Sequence, residues 1–117
     1  MKTKIFLALL LDAVVALAIA QMSIYTAADA ANHVGEIATI TGTVNGVHQA
    51  GKGNIIVSIG GKYTKQVFTA FIPSSSAADF SNPQQYEGKT VAVSGKITLY
   101  QGKPEITVEN VSQIIIK

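Results

Sequence analysis

Length, composition and charge exclude several classes of protein. A chain of 117 residues forms one small domain at most, and without cysteine it has neither a disulfide framework nor a lipid-attachment cysteine. Its nine basic residues are all lysine and oppose seven carboxylates, so the whole molecule offers almost no attractive field and a polyanion would need a local basic patch.

The first 20 residues have the pattern of a secretory signal peptide. Two lysines precede an apolar run over residues 5–20 that ends in Ala18-Ile19-Ala20, the small-x-small pattern of a signal peptidase site. An uncleaved membrane anchor is the alternative, but the run is shorter than the roughly 20 residues that a spanning helix needs, and Asp12 interrupts it. We therefore predict cleavage after Ala20, a periplasmic or secreted protein, and no membrane span in the mature chain.

Residues 21–35 are predicted to form an N-terminal segment with one short helix. Thr26 offers a cap, Asp29 stands where a capping box has Glu or Gln, and Gly35 would stop the helix. A second small-residue pattern at residues 28–30 could also be cut, but cleavage there would destroy this helix, which favours the cut after Ala20. His33 is expected to interact with the last carbonyls of the helix.

From residue 36 onward, apolar and polar positions alternate and β-branched residues are frequent, which predicts strands. The five predicted strands are Glu36–Val47, Ile55–Ile59, Gln66–Ile72, Thr90–Tyr100 and Pro104–Asn110, with a glycine-rich loop over 45–54, a hairpin connection over 60–65 and a short helix over 74–80. Gly42 and Gly95 are predicted bends or bulges inside strands, and the tail 111–117 is expected to pair or pack at a sheet edge.

This order of elements predicts an all-β fold for residues 36–117. We expect a five-stranded Greek-key OB-fold barrel, with a short N-terminal helix before it and a short helical insert between strands three and four. A five-stranded open sandwich would have the same number of strands. The insert between strands three and four favours the barrel, and the glycines inside strands one and four suit its strongly coiled strands.

Three stretches carry a resemblance to a known family: "HVGEIATITGTV", "GKYTKQVFTAFI" and "YEGKTVAVSGKITLYQGKPEITVENVSQI". They resemble the bacterial family of small OB-fold proteins usually labelled nucleic-acid-binding or DNA-binding, over residues 33–114. The most specific block runs from Tyr86-Glu87-Gly88-Lys89 to Tyr100-Gln101-Gly102-Lys103-Pro104. The resemblance implies an OB-fold and points to nucleic acid, although one fold hosts many functions.

The sequence holds no pattern typical of catalysis or metal binding. It has two histidines, no serine in a Gly-x-Ser-x-Gly turn, and no arginine to stabilise a phosphoryl transition state. Its carboxylates are scattered singly, and Glu105 and Glu109, which flank Thr107 on one face of strand five, are expected to be solvated. We predict a non-enzymatic protein with no catalytic residue, no metal site and no cofactor.

Ligand binding is the remaining class of function. OB-folds bind their ligands on the face of strands two and three, between two loops. The candidate ligand or nucleic-acid contacts come from these loops and the connection between strands two and three: His48, Lys52, Lys62, Tyr63, Lys65, Tyr100 and Lys103. Aromatic faces and cations are what single-stranded nucleic acid uses. Tyr100 could equally cover the backbone of the turn, and lysines at a hairpin tip could keep an exposed edge soluble.

Two hypotheses therefore stand. The protein is an exported OB-fold module that binds single-stranded DNA or RNA weakly and without sequence preference, or a periplasmic module that binds a small ligand, an oligosaccharide or an envelope protein in the same cleft. Export and the near-neutral charge favour the second, and the resemblance favours the first.

Overall fold

The computed structural model describes residues 22–117, so the predicted signal peptide and its cleavage site lie outside the described residues. Within them the chain forms eight strands and one short α-helix. The strands are β1 (Ile24–Thr26), β2 (Ile37–Gln49), β3 (Ile55–Ile59), β4 (Phe68–Ile72), β5 (Thr90–Lys96), β6 (Thr98–Tyr100), β7 (Lys103–Thr107) and β8 (Ile114–Ile116), and the helix is α1 (Ser74–Ala77). Four 3₁₀ segments in these residues cover Ala27–His33, Gly51–Gly53, Pro83–Tyr86 and Val111–Gln113.

The strands form one open mixed sheet in the order β6-β7-β4-β3-β2-β5-β8, and β1 pairs with β2 off this path. β4 and β7 are parallel, as are β1 and β2, and the other neighbours are antiparallel. The all-β prediction is confirmed. The count of five strands is wrong, because residues 24–26 and 114–116 add edge strands and the predicted fourth strand is divided in two.

The division of the predicted fourth strand falls at Ile97, between β5 and β6. Gly95 has a φ of +154°, and a Cβ there would lie 2.7 Å from Ile106 Cγ2, so glycine lets the strand bend over β7. The Ile97 N–H donates to the Glu36 carbonyl at 2.9 Å, which extends the register of β2 and β5 by one pair before the chain enters β6. The predicted bend at Gly95 is therefore present, and it redirects the chain toward the hairpin of β6 and β7.

β2 is the long strand that connects the two parts of the sheet. Residues 37–43 pair with β5, and residues 44–49 pair with β3, with a register shift between Val44 and Gly46. Gly42 lies at this crossing, where a Cβ would lie 2.5 Å from Ile59 Cγ2. The predicted irregularity at Gly42 is thus a close approach to β3, while the register shift itself falls between Val44 and Gly46.

The core lies between the inward faces of these strands and the 3₁₀ segment Ala27–His33. Its fully buried large side chains come from alternate strand positions and from Ile97: Ile40, Val44, Val57, Ile59, Phe68, Val91, Val93 and Ile106 are among them. Ala27 and Ala30 pack into the same core. Residues three apart eclipse on a 3₁₀ helix, so both alanines face inward.

Three local predictions in the flanking segments were wrong in detail. The predicted short N-terminal helix is present as the 3₁₀ segment Ala27–His33, but Thr26 makes no side-chain cap. The side chain of His33 bonds to the Glu36 carboxylate at 2.7 Å, not to helix carbonyls. The helical insert stops at Ala77 instead of residue 80. By contrast, β8 pairs with β5, which confirms the expected edge pairing of the tail.

Candidate ligand-binding groove

The outer face of β3, β4 and β7 forms the floor of a groove. Successive strand residues point to opposite faces, so Val57, Ala70 and Ile106 enter the core while their neighbours point outward. Register pairs Ile56 with Phe71, Phe71 with Thr107, and Thr69 with Glu105. We call these five outward residues the floor: Ile56, Thr69, Phe71, Glu105 and Thr107.

Three wall segments rise around this floor and enclose a volume of about 620 Å³. They are the loop 50–54 before β3, the connection 60–67 between β3 and β4, and the tip 100–103 between β6 and β7. Together the walls contribute Ala50, Asn54, Tyr63, Thr64, Gln66, Tyr100, Gln101 and Lys103 to the lining. The groove is therefore large enough for one or two rings of a ligand.

The hairpin tip is built on a two-residue turn. Gln101 and Gly102 have φ of +51° and +79°, and Tyr100 pairs with Lys103, which is the geometry of a type I′ hairpin turn. Because Tyr100 and Lys103 pair directly, both side chains stand on the groove side. Tyr100 is 61% exposed, so its ring is free to contact a ligand.

The opposite wall presents a second tyrosine. Tyr63 is 46% exposed and stacks on His48 with ring centroids 4.3 Å apart. His48 pairs with Ile56 across β2 and β3, so it lies on the same side of the sheet as the floor. His48 was expected in a loop, but residues 46–49 continue the ladder with β3, and its ring packs against Tyr63.

One lysine connects the two walls. Lys103 Nζ donates a hydrogen bond to the Thr64 carbonyl at 2.6 Å, which ties the hairpin tip to the connection 60–67. The ammonium group has two further donors, and these remain available to a ligand. Lys103 therefore has a structural contact besides the ligand contact that the sequence predicts.

The structure brings together only part of the predicted site. Tyr63, Tyr100 and Lys103 line the groove, and His48 supports it from behind Tyr63. Lys52, Lys62 and Lys65 are exposed on the wall segments but do not line the groove. Their charges therefore surround the groove rather than fill it.

Sequence reasoning missed the floor, and Glu105 above all. Glu105 was expected to be solvated like Glu109, but it is partly buried, and this burial raises the pKa of its carboxyl above the ordinary value. Glu109 is exposed, as expected. Alternation along strand five predicted that Glu105 and Thr107 share one face, but it could not show that this face is the floor of a groove.

A buried amide completes the lining beside the floor. Gln66 is 8% exposed, and its Nε2 donates to Thr69 Oγ1 at 3.1 Å, which fixes the amide against β4. Its Oε1 has no protein partner within residues 22–117. The lining is thus rich in amide and hydroxyl groups as well as aromatic rings.

Residues 22–117 present neither a metal centre nor a membrane-spanning helix. No group of three or more His, Asp or Glu side chains in this part of the chain is arranged to hold a metal ion. No helix among the same residues is long and apolar enough to cross a membrane.

The fold and site define a class: a small all-β domain with an open groove on one face of a mixed sheet. No family model matches the chain, and a search of curated proteins finds no match. Solved structures do share the fold. A proposed aspartyl-tRNA synthetase from Leishmania major Friedlin is similar over 82% of this chain and 21% of its own, with a TM-score of 0.53 and 11% identity.

Two further solved chains are similar over most of their own length. The OBody AM1L10, solved bound to hen egg-white lysozyme, has a TM-score of 0.50 and 18% identity over 74% of this chain and 83% of its own. A proposed nucleic acid-binding lipoprotein from Klebsiella pneumoniae subsp. pneumoniae MGH 78578 has a TM-score of 0.48 and 14% identity over 86% of this chain and 95% of its own. At these identities the synthetase and OBody likenesses show the fold alone.

Proposed function

We propose that residues 36–117 form an OB-type barrel and that the protein is a non-enzymatic module that binds single-stranded nucleic acid weakly in the groove. The strand path supports the fold. β2 pairs with both β3 and β5, β5 continues through Ile97 into β6, and β7 returns parallel to β4. With β5 and β6 counted as one bent strand, this path supports the five-strand order that we propose, in which β1 and β8 would be additions at the edge.

The observation that carries the functional proposal is the pair of exposed tyrosines on opposite walls. Tyr63 and Tyr100 stand on either side of a floor that includes Ile56 and Phe71. Bases stack on aromatic rings with about 1–3 kcal/mol each, and stacking is tolerant of sequence. A groove with two ring faces suits a strand whose bases are splayed apart.

Charge around the groove is favourable for the same ligand. The three wall segments hold four of the seven lysines in residues 22–117, namely Lys52, Lys62, Lys65 and Lys103, and no carboxylate. A local basic rim can follow a phosphate backbone even though the whole chain is nearly neutral. Lysine binds phosphate as a point charge without the fork of arginine, so the binding is weak and falls with salt.

A second candidate ligand is a neutral one, such as an oligosaccharide. Glu105 on the floor and the amides of Asn54, Gln66 and Gln101 offer hydrogen bonds to hydroxyl groups. Aromatic walls could hold sugar rings in the same place. Such binding would not weaken with salt, and this distinguishes the two candidates.

Fluorescence anisotropy of labelled 12-residue oligonucleotides tests the first candidate. With at most four lysines near phosphates, single-strand counterion release predicts a slope of about −3 against log salt, or roughly 50-fold weaker binding from 50 to 200 mM salt. Lys62→Gln combined with Lys65→Gln should reduce that slope, whereas Lys96→Gln in β5, outside the groove lining, should not. Absence of binding at tens of micromolar protein in low salt would sink the proposal.

A glycan array in high salt tests the second candidate. Retention of a neutral oligosaccharide there, lost in Tyr100→Ala, would favour it over nucleic acid. We also propose export, from the signal pattern of residues 1–20. N-terminal sequencing of the mature protein should then begin at Gln21, and an intact Met1 would contradict export by cleavage.

A further inference from the structure

Glu105 is a carboxylate in the floor that has no side-chain partner among residues 22–117. Register places Thr69 of β4 on one side of it and Thr98 of β6 on the other. Thr98 Oγ1 donates to the backbone carbonyl of Glu105, not to its side chain. Within residues 22–117, no side chain bonds to the Glu105 carboxylate and no lysine forms an ion pair with it.

An ionised carboxylate accepts hydrogen bonds and donates none. Partly buried in the floor, it loses water without gaining a protein donor, which is unfavourable until a ligand supplies one. Phosphate would be repelled here, so the floor is unsuited to the backbone of a nucleic acid. A ring that stacks on Tyr63 or Tyr100 instead points an edge toward the floor.

We propose that Glu105 gives the groove a preference among bases, favouring guanine and disfavouring thymine and uracil. This inference rests on the proposed binding of single-stranded nucleic acid. In a single strand the pairing edge of each base is free to be read. Guanine presents two adjacent donors there, N1–H and the 2-amino group, and these match the two oxygens of one carboxylate.

The other bases fit the carboxylate less well. Cytosine and adenine each present one amino group, which can make a single hydrogen bond to Glu105. Thymine and uracil present one N–H between two carbonyl oxygens, which face the carboxylate with the same sign of charge. The expected order is therefore guanine first, cytosine and adenine next, and thymine or uracil last.

The size of the preference is limited by the partial exposure of Glu105. A bidentate contact between a side chain and a base discriminates by about 5- to 150-fold, and solvent around a half-buried carboxylate places this groove toward the lower end, at about tenfold. The wall lysines and the tyrosines act on every base alike, so weak binding of thymine strands is retained.

Anisotropy with three matched 12-residue DNA strands tests the inference. The first is all thymine, the second carries guanine at three central positions, and the third carries inosine there. Inosine stacks like guanine but lacks the 2-amino group. We expect the guanine strand to bind about tenfold more tightly than the thymine strand, with the inosine strand between them.

Two variants separate the carboxylate from general charge. Glu105→Gln should bind the thymine strand more tightly and lose most of the discrimination, because the amide both accepts and donates. Glu109→Gln removes the same charge from an exposed position two residues beyond Thr107, so it should keep the discrimination of the natural protein. Thermal melting of both variants checks that they remain folded.

The outcomes distinguish this inference from the function on which it rests. Equal binding of all three strands would overturn the role of Glu105 and leave the nucleic-acid function in place. Equal binding of the guanine and inosine strands, or a guanine preference that persists in Glu105→Gln, would assign the preference to stacking and also overturn it. Absence of binding to any strand would remove the proposed function itself.

Discussion

Removal of the Tyr100 ring should weaken ligand binding without unfolding the domain. Tyr100 is 61% exposed at the tip of the β6–β7 hairpin, so Tyr100→Ala removes few core contacts. Its direct cross-strand contact is with Lys103, and such pairs contribute about 0.2–1 kcal/mol. We therefore expect the free energy of unfolding to fall by less than about 1 kcal/mol, and the hairpin turn to keep its shape.

The loss of affinity should be larger than the loss of stability. If one base stacks on Tyr100, truncation removes about 1–3 kcal/mol, which corresponds to about 5- to 150-fold in the dissociation constant. Salt dependence should be unchanged, because no phosphate contact is lost. The measurement is anisotropy with one oligonucleotide at two salt concentrations, beside a urea unfolding curve for each variant.

Leu99→Ala is the matched control in the same hairpin. Leu99 is 56% exposed, but it pairs with Pro104 and so stands on the face opposite Tyr100. It should bind as the natural protein does. If Tyr100→Ala binds as tightly as Leu99→Ala, the tyrosine has a structural role at the turn and the stacking argument is refuted.

Three further predictions concern stability. Gly42→Ala should lower the free energy of unfolding by about 1–3 kcal/mol, since its Cβ would overlap the Ile59 side chain, whereas Gly46→Ala, with open space, should be near neutral in urea unfolding. Hydrogen bonds from Tyr25 and then His33 lower the pKa of Glu36, so Glu36→Gln should lower Tm at pH 7 but not well below pH 4.5. Burial raises the pKa of Glu105, so Glu105→Gln should raise Tm at pH 7, with the gain vanishing in acid.

The contrary results are equally specific. Equal effects of the two glycine substitutions would show that β2 can shift at its crossing with β3. The folded protein favours ionised Glu36. Its contribution to stability is therefore present above the ordinary pKa of 4.5 and is lost as the pH falls through the lowered pKa of the folded state. A Tm difference for Glu36→Gln that stays constant with pH would contradict this prediction. For the floor carboxylate, a lower Tm of Glu105→Gln at pH 7 would contradict the predicted stabilisation.

The central strands could be predicted because their signal is local. β3 was predicted at its observed bounds, and β4 begins two residues later than predicted. Alternating β-branched residues indicate which face of a strand is buried, and they do so without knowledge of the partner strand. The Gln101-Gly102 turn and the two tyrosines are likewise visible in the sequence, so Tyr63 and Tyr100 could be named as candidate ligand contacts, and both line the groove.

The edge strands could not be predicted because their signal lies elsewhere in the chain. β1 has three residues, and it forms only because Ile24 and its neighbours find a free edge on β2 at residues 39–41. His48 was assigned to a loop because asparagine and glycine surround it, yet pairing with Ile56 holds it in β2. Long-range pairing overrides local propensity in both cases.

The depth of Glu105 follows from the same limit. Alternation along β7 predicts its face, but its burial depends on the neighbouring strands and on the connection 60–67 above Thr69. A carboxylate that is partly buried without a protein donor is expected to lower stability, and such costs are more typical of binding sites than of scaffolds. The floor carboxylate is therefore a more specific clue to the ligand than the lysines are.

Charge and hydrogen bonding are separated in this groove, and their effects on binding should therefore be separable. Lys62 and Lys65 lie on a wall, whereas Glu105 lies on the floor. Neutralising the two lysines should reduce the salt slope and leave base preference intact, and Glu105→Gln should do the reverse. The triple variant should show both changes, with free energies that add to within about 0.5 kcal/mol. A strong departure from additivity would mean that phosphate and base occupy the same part of the groove, which would contradict the division between walls and floor.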